Sequence, residues 1–253
     1  MHRLTIGKQI MNKTETKRIN AYVAAATDLS RRASDEAIIN KRVKINGRVA
    51  VLGDRVGVDD VVTIDGNTIE MIERHVVYAL NKPKGYVCSN VDKHAKHLAV
   101  SRIKEADQPF LHSIGRLDKD SEGLILFTNN GYLTEQVTHP KSEIEKEYYV
   151  KALRRISDRD IRVLKEGVTD NGEFLHIKSI EQMSPTEALI VLNEGKNREI
   201  RRLFNHIKNE VVSLVRIRIG GYTLPATLKS GMYKKLHDSD IARILGTSEG
   251  KKV

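Results

Sequence analysis

The chain has 253 residues, of which 40% are hydrophobic and 30% charged, a balance typical of a folded globular protein and not of a disordered chain. Lys and Arg number 43 against 33 Asp and Glu, a net charge of +10, which favours a polyanionic partner over a basic enzyme whose charge serves only solubility. A single cysteine, Cys88, excludes an internal disulfide and a cysteine-based zinc site, and no run approaches the roughly 18 apolar residues that span a bilayer.

The chain begins with a basic segment, and we assign residues 1–16 to an N-terminal tail. Residues 1–18 lack the apolar core of a signal peptide, so we expect a cytoplasmic protein. Residues 1–48 contain 11 Lys and Arg against 4 Asp and Glu, whereas residues 49–70 contain 1 against 5. A basic part is therefore followed by a short acidic part.

Residues 17–66 predict two helices and a hairpin. Ile19, Val23 and Ala26 recur at helical spacing, and Ser30 is placed to cap a second helix. The run Val43–Ile45 alternates as a strand does, and Asn46–Gly47 predicts a tight hairpin turn. A further strand is predicted at Val61–Ile64.

These elements and their residues resemble the small RNA-binding domain first described in ribosomal protein S-four. The resemblance rests on Leu29–Ala33, on Arg42–Gly47 and on Gly53–Val56. It implies that the module binds structured RNA, and we carry that role to Arg31, Arg32 and Lys44. A solvated basic surface is the alternative.

The rest of the chain predicts a connector at residues 67–75, a larger domain at 76–246 and a C-terminal tail at 247–253. Strands outnumber helices and often follow one another, which indicates an α+β fold with a mixed, mainly antiparallel sheet and flanking helices. The predicted strands are Val76–Leu80, Gly123–Phe127, Glu147–Leu153, Leu175–Ile180, Ala188–Leu192 and Ser213–Ile219. The predicted helices are Tyr132–Thr138, Asp158–Lys165, Asn197–Ile207 and Asp238–Leu245.

Within this domain, Cys88 lies in an apolar run and is expected to be a small buried side chain. The loop Gly115–Gly123 concentrates charged and hydroxyl side chains before an apolar strand. Its acids suit a surface turn, a calcium loop or a catalytic aspartate. The calcium interpretation fails because the twelfth position is Asn129, where a calcium loop has Glu. The turn and the catalytic aspartate remain.

The segment from Val76 to Leu245 resembles the pseudouridine synthases of the bacterial RsuA/RluB type, most closely the large-subunit branch. Four blocks carry the resemblance in the order of the family: Ala79–Gly85, Gly115–Gly131, Lys146–Tyr148 and Gly195–Leu203. It implies a pseudouridine synthase domain that needs no cofactor and no metal. It also implies that Asp118 is the essential acid, acting as nucleophile or base where uracil joins ribose.

The same resemblance implies roles for Tyr148 and Arg201, as the base-stacking tyrosine and the partner of Asp118. Helical geometry agrees for Arg201, which falls at the edge of an apolar stripe, where an ion pair with Asp118 is predicted. Arg198 and Arg202 fall nearly opposite the stripe and are predicted to face solvent or RNA. Arg116 is assigned to RNA contact. A helix arginine in water and a core tyrosine are the alternatives.

The resemblance predicts an enzyme that isomerises one uridine of ribosomal RNA, with 23S rRNA of the large subunit favoured over small-subunit rRNA. Separately from the resemblance, we expect a monomer. No membrane and no small-molecule cofactor are expected as partners. Two other functions stay open at this point. One is a non-catalytic RNA-binding factor in ribosome assembly, and the other is a metal-dependent nuclease that uses Asp118 and Asp120.

Overall fold

The structure is a computed structural model that describes residues 16–27, 29–70, 75–89, 97–105 and 111–247. The predicted tails, 1–16 and 247–253, lie almost wholly outside these residues. The chain divides into two compact units, and the boundary falls between His75 and Val76. Each unit is described by itself.

The described residues of the first unit form two helices and six short strands. Helix α1 spans Ile19–Ala26 and α2 spans Arg31–Ile39. The strands are β1 (Lys17–Arg18), β2 (Val43–Ile45), β3 (Arg48–Val49), β4 (Arg55–Val56), β5 (Val62–Ile64) and β6 (Asn67–Ile69). Strands β3, β2, β5 and β6 form an antiparallel sheet in that order, and β1 pairs with β4.

Local chemistry explains where these elements begin and turn. The Ser30 hydroxyl accepts a hydrogen bond from the backbone N–H of Ala33, 3.1 Å away, and so caps α2. Asn46 and Gly47 both have positive φ, +49° and +82°, as a two-residue hairpin turn requires. Ile19 and Val23 are buried against residues of the sheet.

The connector predicted at residues 67–75 is wrong in its first part, because Asn67–Ile69 forms strand β6. It returns from β5 through a turn at Asp65 and Gly66, which have φ of +52° and +83°. The sequence of this segment is polar, which is why it was predicted to be a linker. Strand β6 is an edge strand, where exposed polar residues such as Asn67 and Thr68 are tolerated at little cost in stability.

The second unit is an α+β structure, as predicted. Its strands are β7 (Val77–Lys82), β8 (His112–Ile114), β9 (Glu122–Thr128), β10 (Lys146–Ala152), β11 (Val168–Asp170), β12 (Glu173–Leu175), β13 (Ser179–Ser184), β14 (Glu187–Leu192), β15 (Val211–Ile219), β16 (Tyr222–Thr223) and β17 (Tyr233–Lys235). Its α-helices are α3 (Gly131–Thr138), α4 (Asp158–Glu166), α5 (Glu199–His206) and α6 (Asp238–Leu245).

One large sheet organises this unit, with strand order β13-β14-β10-β15-β9-β7-β17. Neighbours along it are antiparallel except β15 and β9, which are parallel where Val215 and Arg216 meet Glu122 and Gly123. Strand β8 pairs with the far end of β9, β16 pairs with β15, and β11 and β12 form a separate hairpin. The sheet is therefore mixed and mainly antiparallel.

Each face of the large sheet buries its own hydrophobic core. On one face, Ile125 and Phe127 of β9 pack with α4 and α5 through residues such as Leu164 and Leu203. On the other, Leu124 and Leu126 pack with α3 and α6. This alternation follows from the two-residue period of a strand, and it makes β9 a central strand buried on both sides.

Two predicted elements differ from the structure. The strand predicted at Leu175–Ile180 is two strands, because β12 ends at Leu175 and β13 begins at Ser179. Leu175 and Ile177 are both buried, so the alternating pattern runs on while the hydrogen-bond partner changes. Helix α5 begins at Glu199, two residues after the predicted start, because Arg198 has φ of +50°.

Candidate active site

The loop that carries Asp118 lies between β8 and β9 and is bounded by two glycines in left-handed conformations. Gly115 has φ of +70° and Gly123 has φ of +96°. A Cβ atom on Gly123 would lie 2.3 Å from the backbone oxygen of Arg216 and 2.8 Å from its nitrogen. Glycine is therefore required where the loop enters the parallel pair of β9 and β15.

Hydrogen bonds to backbone carbonyls hold this loop in place. The buried ammonium of Lys82 donates to the carbonyl of Ser121 at 2.6 Å and lies 3.4 Å from that of Lys119. The backbone N–H of Gly85 also donates to Lys119 O, at 2.8 Å. Within the loop, Ser121 N–H donates to the carbonyl of Asp118. The hydrogen bonds from Lys82 and Gly85 thus fix the backbone of the loop that carries the Asp118 carboxylate.

Lys82 is fully buried at the end of β7, two residues beyond the predicted end of this strand at Leu80. Burial lowers the pKa of Lys82, while negative groups around it, including Asp118 and Glu122, raise it. The ammonium donates hydrogen bonds to three carbonyls, those of Pro83, Lys119 and Ser121. A buried ammonium requires such partners. The sequence signal for Lys82 was its position two residues after Leu80, on the face of the strand that buries Tyr78 and Leu80.

Asp118 is half-buried, and within the described residues its carboxylate forms no ion pair. The ion pair predicted with Arg201 is wrong in this respect. Arg201 donates through Nη1 to Val211 O at 2.9 Å and through Nη2 to Asp120 O at 3.2 Å. Burial lowers the pKa of Arg201, and Arg198 lowers it further, whereas Asp118 and Asp120 raise it.

The physical reason for this difference is that Nη1 and Nη2 of Arg201 already donate to two backbone carbonyls. Arg201 therefore contacts the backbone of the loop and acts on Asp118 only through its electric field. An unpaired carboxylate on a rigid loop is free to meet a ligand as nucleophile or base.

Tyr148 lies in β10 on the face of the sheet that packs against α5 and is 7% exposed. Its neighbours across the sheet are Ile190 in β14 and Arg216 in β15. Tyr149 lies on the opposite face, and a hydrogen bond with Glu187 raises the pKa of Tyr149. Only Tyr148 of the pair therefore shares a face with Arg216, as the two-residue period predicted.

Three buried or half-buried charged groups, on β15, on β10 and at the start of α5, were assigned no role from the sequence. Arg216 is 4% exposed, donates through Nε to Leu124 O at 2.7 Å and has an Nη2 atom without a hydrogen-bond partner in the described structure. Burial, with Arg216 nearby, lowers the pKa of Lys146 to about 8. Burial raises the pKa of Glu199 to about 7. Their signal was charge at inward-facing positions of apolar elements.

The single cysteine, Cys88, lies close enough to this region to be affected by its charged groups. It is buried, as predicted, and burial raises the pKa of its thiol, with Lys82 and Arg216 lowering it and Asp118 raising it. The charges of Lys82, Arg216 and Asp118 therefore all act on this one buried thiol. Among the described residues, no group of three His, Cys, Asp or Glu side chains could hold a metal ion, and no helix is long and apolar enough to cross a membrane.

The residues predicted to contact RNA are distributed over both units. Arg116 and Arg198 are exposed in the second unit, and Arg31, Arg32 and Lys44 are exposed in the first.

The prediction that Arg202 faces solvent or RNA is wrong about its surroundings. Its guanidinium forms ion pairs with Asp170 and Glu173. Helical geometry placed Arg202 opposite the apolar stripe, but the hairpin of β11 and β12 packs there. Arg202 therefore binds this hairpin to α5.

Comparisons with known proteins show the family to which the chain belongs. A family model described as RNA pseudouridylate synthase matches residues 76–206, and the chain belongs to this family of isomerases, which convert uridine to pseudouridine. This confirms the predicted class and reaction.

Individual relatives resemble most of the chain. The ribosomal large subunit pseudouridine synthase B of Buchnera aphidicola is 33% identical over 84% of this chain and 89% of its own length. The dual-specificity RNA pseudouridine synthase RluF of Salmonella typhi is 35% identical over 92% of this chain and 80% of its own. A crystal structure of a pseudouridylate synthase aligns with a TM-score of 0.67 and 29% identity, covering 90% of this chain and 99% of that chain.

Proposed function

We propose that this enzyme isomerises a uridine of ribosomal RNA, in 23S rRNA of the large subunit, with Asp118 as the residue that acts where uracil joins ribose. The observation that carries the assignment is the unpaired Asp118 carboxylate, held on a backbone that Lys82 and Arg201 fix from two sides. The large-subunit name of the Buchnera relative supports the choice of RNA.

The reaction needs no net change in atoms or electrons. The bond from ribose C1′ to uracil N1 breaks, a bond from C1′ to C5 forms, and the proton lost from C5 is balanced by one gained at N1. We assign Tyr148 to contact with the base, since it shares the α5-facing side of the sheet with Arg216. Arg201 positions the loop through the carbonyl of Asp120. The target nucleotide must leave its stem, at a cost of roughly a few kcal/mol.

Binding of RNA is assigned to exposed cations of both units. In the first unit, which we assign as the S-four-type domain over residues 17–66, Arg31, Arg32 and Lys44 have no ion pair with a described residue. In the second, Arg116 and Arg198 are likewise exposed. We expect the protein to act as a monomer, since each unit buries its own core, and to work in the cytoplasm, where ribosomes assemble.

The test is a map of pseudouridine in rRNA from cells with the gene, without it, and with Asp118→Asn. We expect one site in 23S rRNA to be lost in the last two, while purified Asp118→Asn still binds the rRNA. Conversion that survives in this variant would refute the mechanism. A site in 16S rRNA, or a second RNA as the name of RluF implies for that relative, would change the substrate only.

The same assay separates the other two functions. A non-catalytic assembly factor predicts rRNA binding with no change in the pseudouridine map. A nuclease predicts strand cleavage that a chelator abolishes. We expect conversion to proceed in the presence of a chelator, with intact RNA.

A further inference from the structure

An open groove with a volume of about 560 Å³ runs beside α5, between the end of β10 and the start of β15. Four cations line it, Arg154, Arg198, Arg201 and Lys208, against a single carboxylate, Glu210. The groove is therefore strongly positive, and a mobile anion entering it would be attracted from several sides.

Three of these cations are unpaired. Arg154, Arg198 and Lys208 are exposed, and none forms an ion pair with a carboxylate in the described part of the chain. On the other side of α5, by contrast, Arg202 is neutralised by two acids. Charge on the groove side is thus left available for a partner.

The residues that flank α5 at its two ends have left-handed backbone conformations, and both line the groove. Arg198 precedes the helix with φ of +50°, and Lys208 follows it with φ of +55°. Left-handed positions favour glycine or asparagine, and a larger residue there costs about 1 kcal/mol or more. Two of the four cations that line the groove, Arg198 and Lys208, occupy such positions.

Asn209 fixes the spacing of the groove's two walls. It is 5% exposed, its Oδ1 accepts from the backbone N–H of Arg154 at 3.0 Å, and its Nδ2 donates to Arg154 O at 3.0 Å. These bonds tie the chain at the end of β10 to the turn after α5. Arg154 and Lys208 therefore stand on a preformed surface, which lowers the entropic cost of binding an extended ligand.

The groove is continuous with the active-site loop through Arg201. This residue lines the groove, and its Nη2 donates to the carbonyl of Asp120, two residues after Asp118. Its Nε is buried without a hydrogen-bond partner in the described structure. A polyanion bound in the groove would thus lie next to the loop that carries Asp118.

We propose that this groove binds the phosphates of the RNA strand that adjoins the target uridine, with Arg154, Arg198 and Lys208 as its contacts. The inference rests on the proposed function and adds to it a path for the strand. Phosphate contacts of this kind position RNA without reading its sequence. They would hold the flipped nucleotide close to Asp118.

The test compares two triple variants that lose the same charge. The groove variant is Arg154→Ala/Arg198→Gly/Lys208→Gly, in which glycine suits the left-handed backbone at 198 and 208. The control is Arg159→Ala/Arg162→Ala/Lys165→Ala, three exposed cations of α4 outside the groove. Binding of fluorescein-labelled oligouridylate is measured over a series of salt concentrations, with circular dichroism and thermal unfolding to establish that each variant folds.

We expect the groove variant to bind at least tenfold more weakly at low salt. The slope of log K against log salt should fall by about 2, since each phosphate contact on a single strand contributes about 0.7. The control should keep most of its affinity and slope. An unchanged slope in the groove variant, or an equal loss in the control, would overturn the proposal. A groove variant that loses affinity for polyglutamate but keeps its affinity for oligouridylate would also overturn the proposal, in favour of an acidic protein partner.

A second measurement locates the strand. In an RNA whose modified uridine has been mapped, a neutral methylphosphonate replaces single phosphates on either side of the target. We expect it to slow conversion by the native enzyme and to have no further effect in the groove variant. Equal slowing in both proteins would show that the adjoining phosphates lie elsewhere.

These outcomes separate the groove from the proposed function. Suppose that the native enzyme forms no pseudouridine, while the groove variant still binds oligouridylate more weakly than the native enzyme does. The proposed reaction is then wrong, and RNA binding in the groove stands. If conversion occurs and the variant binds with an unchanged slope, the groove alone is wrong.

Discussion

Glu199 is an acid buried at the start of α5. One of its carboxylate oxygens accepts from the backbone N–H of Lys196 at 3.0 Å, and the other has no hydrogen-bond partner in the described structure. Burial raises its pKa to about 7, so the neutral form predominates below that pH. Glutamine has the same shape and carries no charge, and its amide oxygen can keep the bond to Lys196.

We therefore predict that Glu199→Gln changes how stability depends on pH. Because the folded pKa is raised above the unfolded value, the contribution of protonated Glu199 to stability is fully present below about pH 4.5 and is lost as pH rises through about 7. The loss amounts to about 3 kcal/mol. The variant should lack this loss and be more stable at pH 7.5. Urea unfolding between pH 4.5 and 7.5 measures it, and parallel curves for the two proteins would contradict the prediction.

Lys82 permits a second prediction at the scale of one residue. In Lys82→Met the carbonyls of Pro83, Lys119 and Ser121 lose a buried donor, which costs about 1–3 kcal/mol per unsatisfied group. The loop should shift, and a displacement of about 1 Å at Asp118 lowers kcat by about 100-fold. Single-turnover conversion and RNA affinity are measured with exposed Lys84→Met as control. A kcat within twofold of wild type would contradict this role.

Some residues were predictable from the sequence because their signal is local. The cap at Ser30 and the turn at Asn46–Gly47 depend on neighbours three residues away or fewer. Lys82 and Arg216 were not predictable, because their partners are carbonyls of residues 39 and 92 positions distant. Nor was the contact of Arg201 with Asp120 O, since the helical pattern gives the face of a side chain but not which atom meets it.

Among the elements, the parallel pair of β9 and β15 brings the Asp118 loop beside Arg216 and Tyr148. Gly123 makes this approach possible. We predict that Gly123→Ala destabilises the fold by about 2–4 kcal/mol, because the new Cβ would meet backbone atoms of Arg216. Gly172→Ala is the matched control, since Gly172 also has positive φ, +78°, but nothing within 4 Å of the Cβ position.

Thermal unfolding and conversion rate both report on the Gly123 variant. We expect a much larger drop in Tm than in the control, together with loss of activity beyond the unfolded fraction. Equal changes in the two variants would show that only φ matters at position 123, and that the close approach of β9 and β15 is not essential.

The boundaries of elements show what a pattern can and cannot predict. Helix α6 was predicted with its observed limits, because acids at its start and Gly246 after its end mark both. Strands β12 and β13 were fused, since alternation carries no information about which strand is the hydrogen-bond partner. Strand β6 was missed because an edge strand needs few apolar residues.

At the scale of the whole molecule, each unit has its own core and its own exposed cations. This arrangement suggests a division of work, in which the first unit contributes affinity and the second contributes chemistry. Binding energy that does not change between ground state and transition state alters KM and leaves kcat unchanged. The two contributions can therefore be measured separately in the full-length chain.

We predict that Arg31→Ala/Arg32→Ala raises KM for rRNA about tenfold or more and leaves kcat within twofold. These side chains are exposed in the first turn of α2 and form no ion pair with a described residue, so their loss should remove RNA contacts without unfolding the unit. The control is Arg48→Ala/Arg55→Ala, which removes the same charge from side chains already bonded to Asp54 and Thr16. A fall in kcat at saturating rRNA would show that the first unit also takes part in positioning the target uridine.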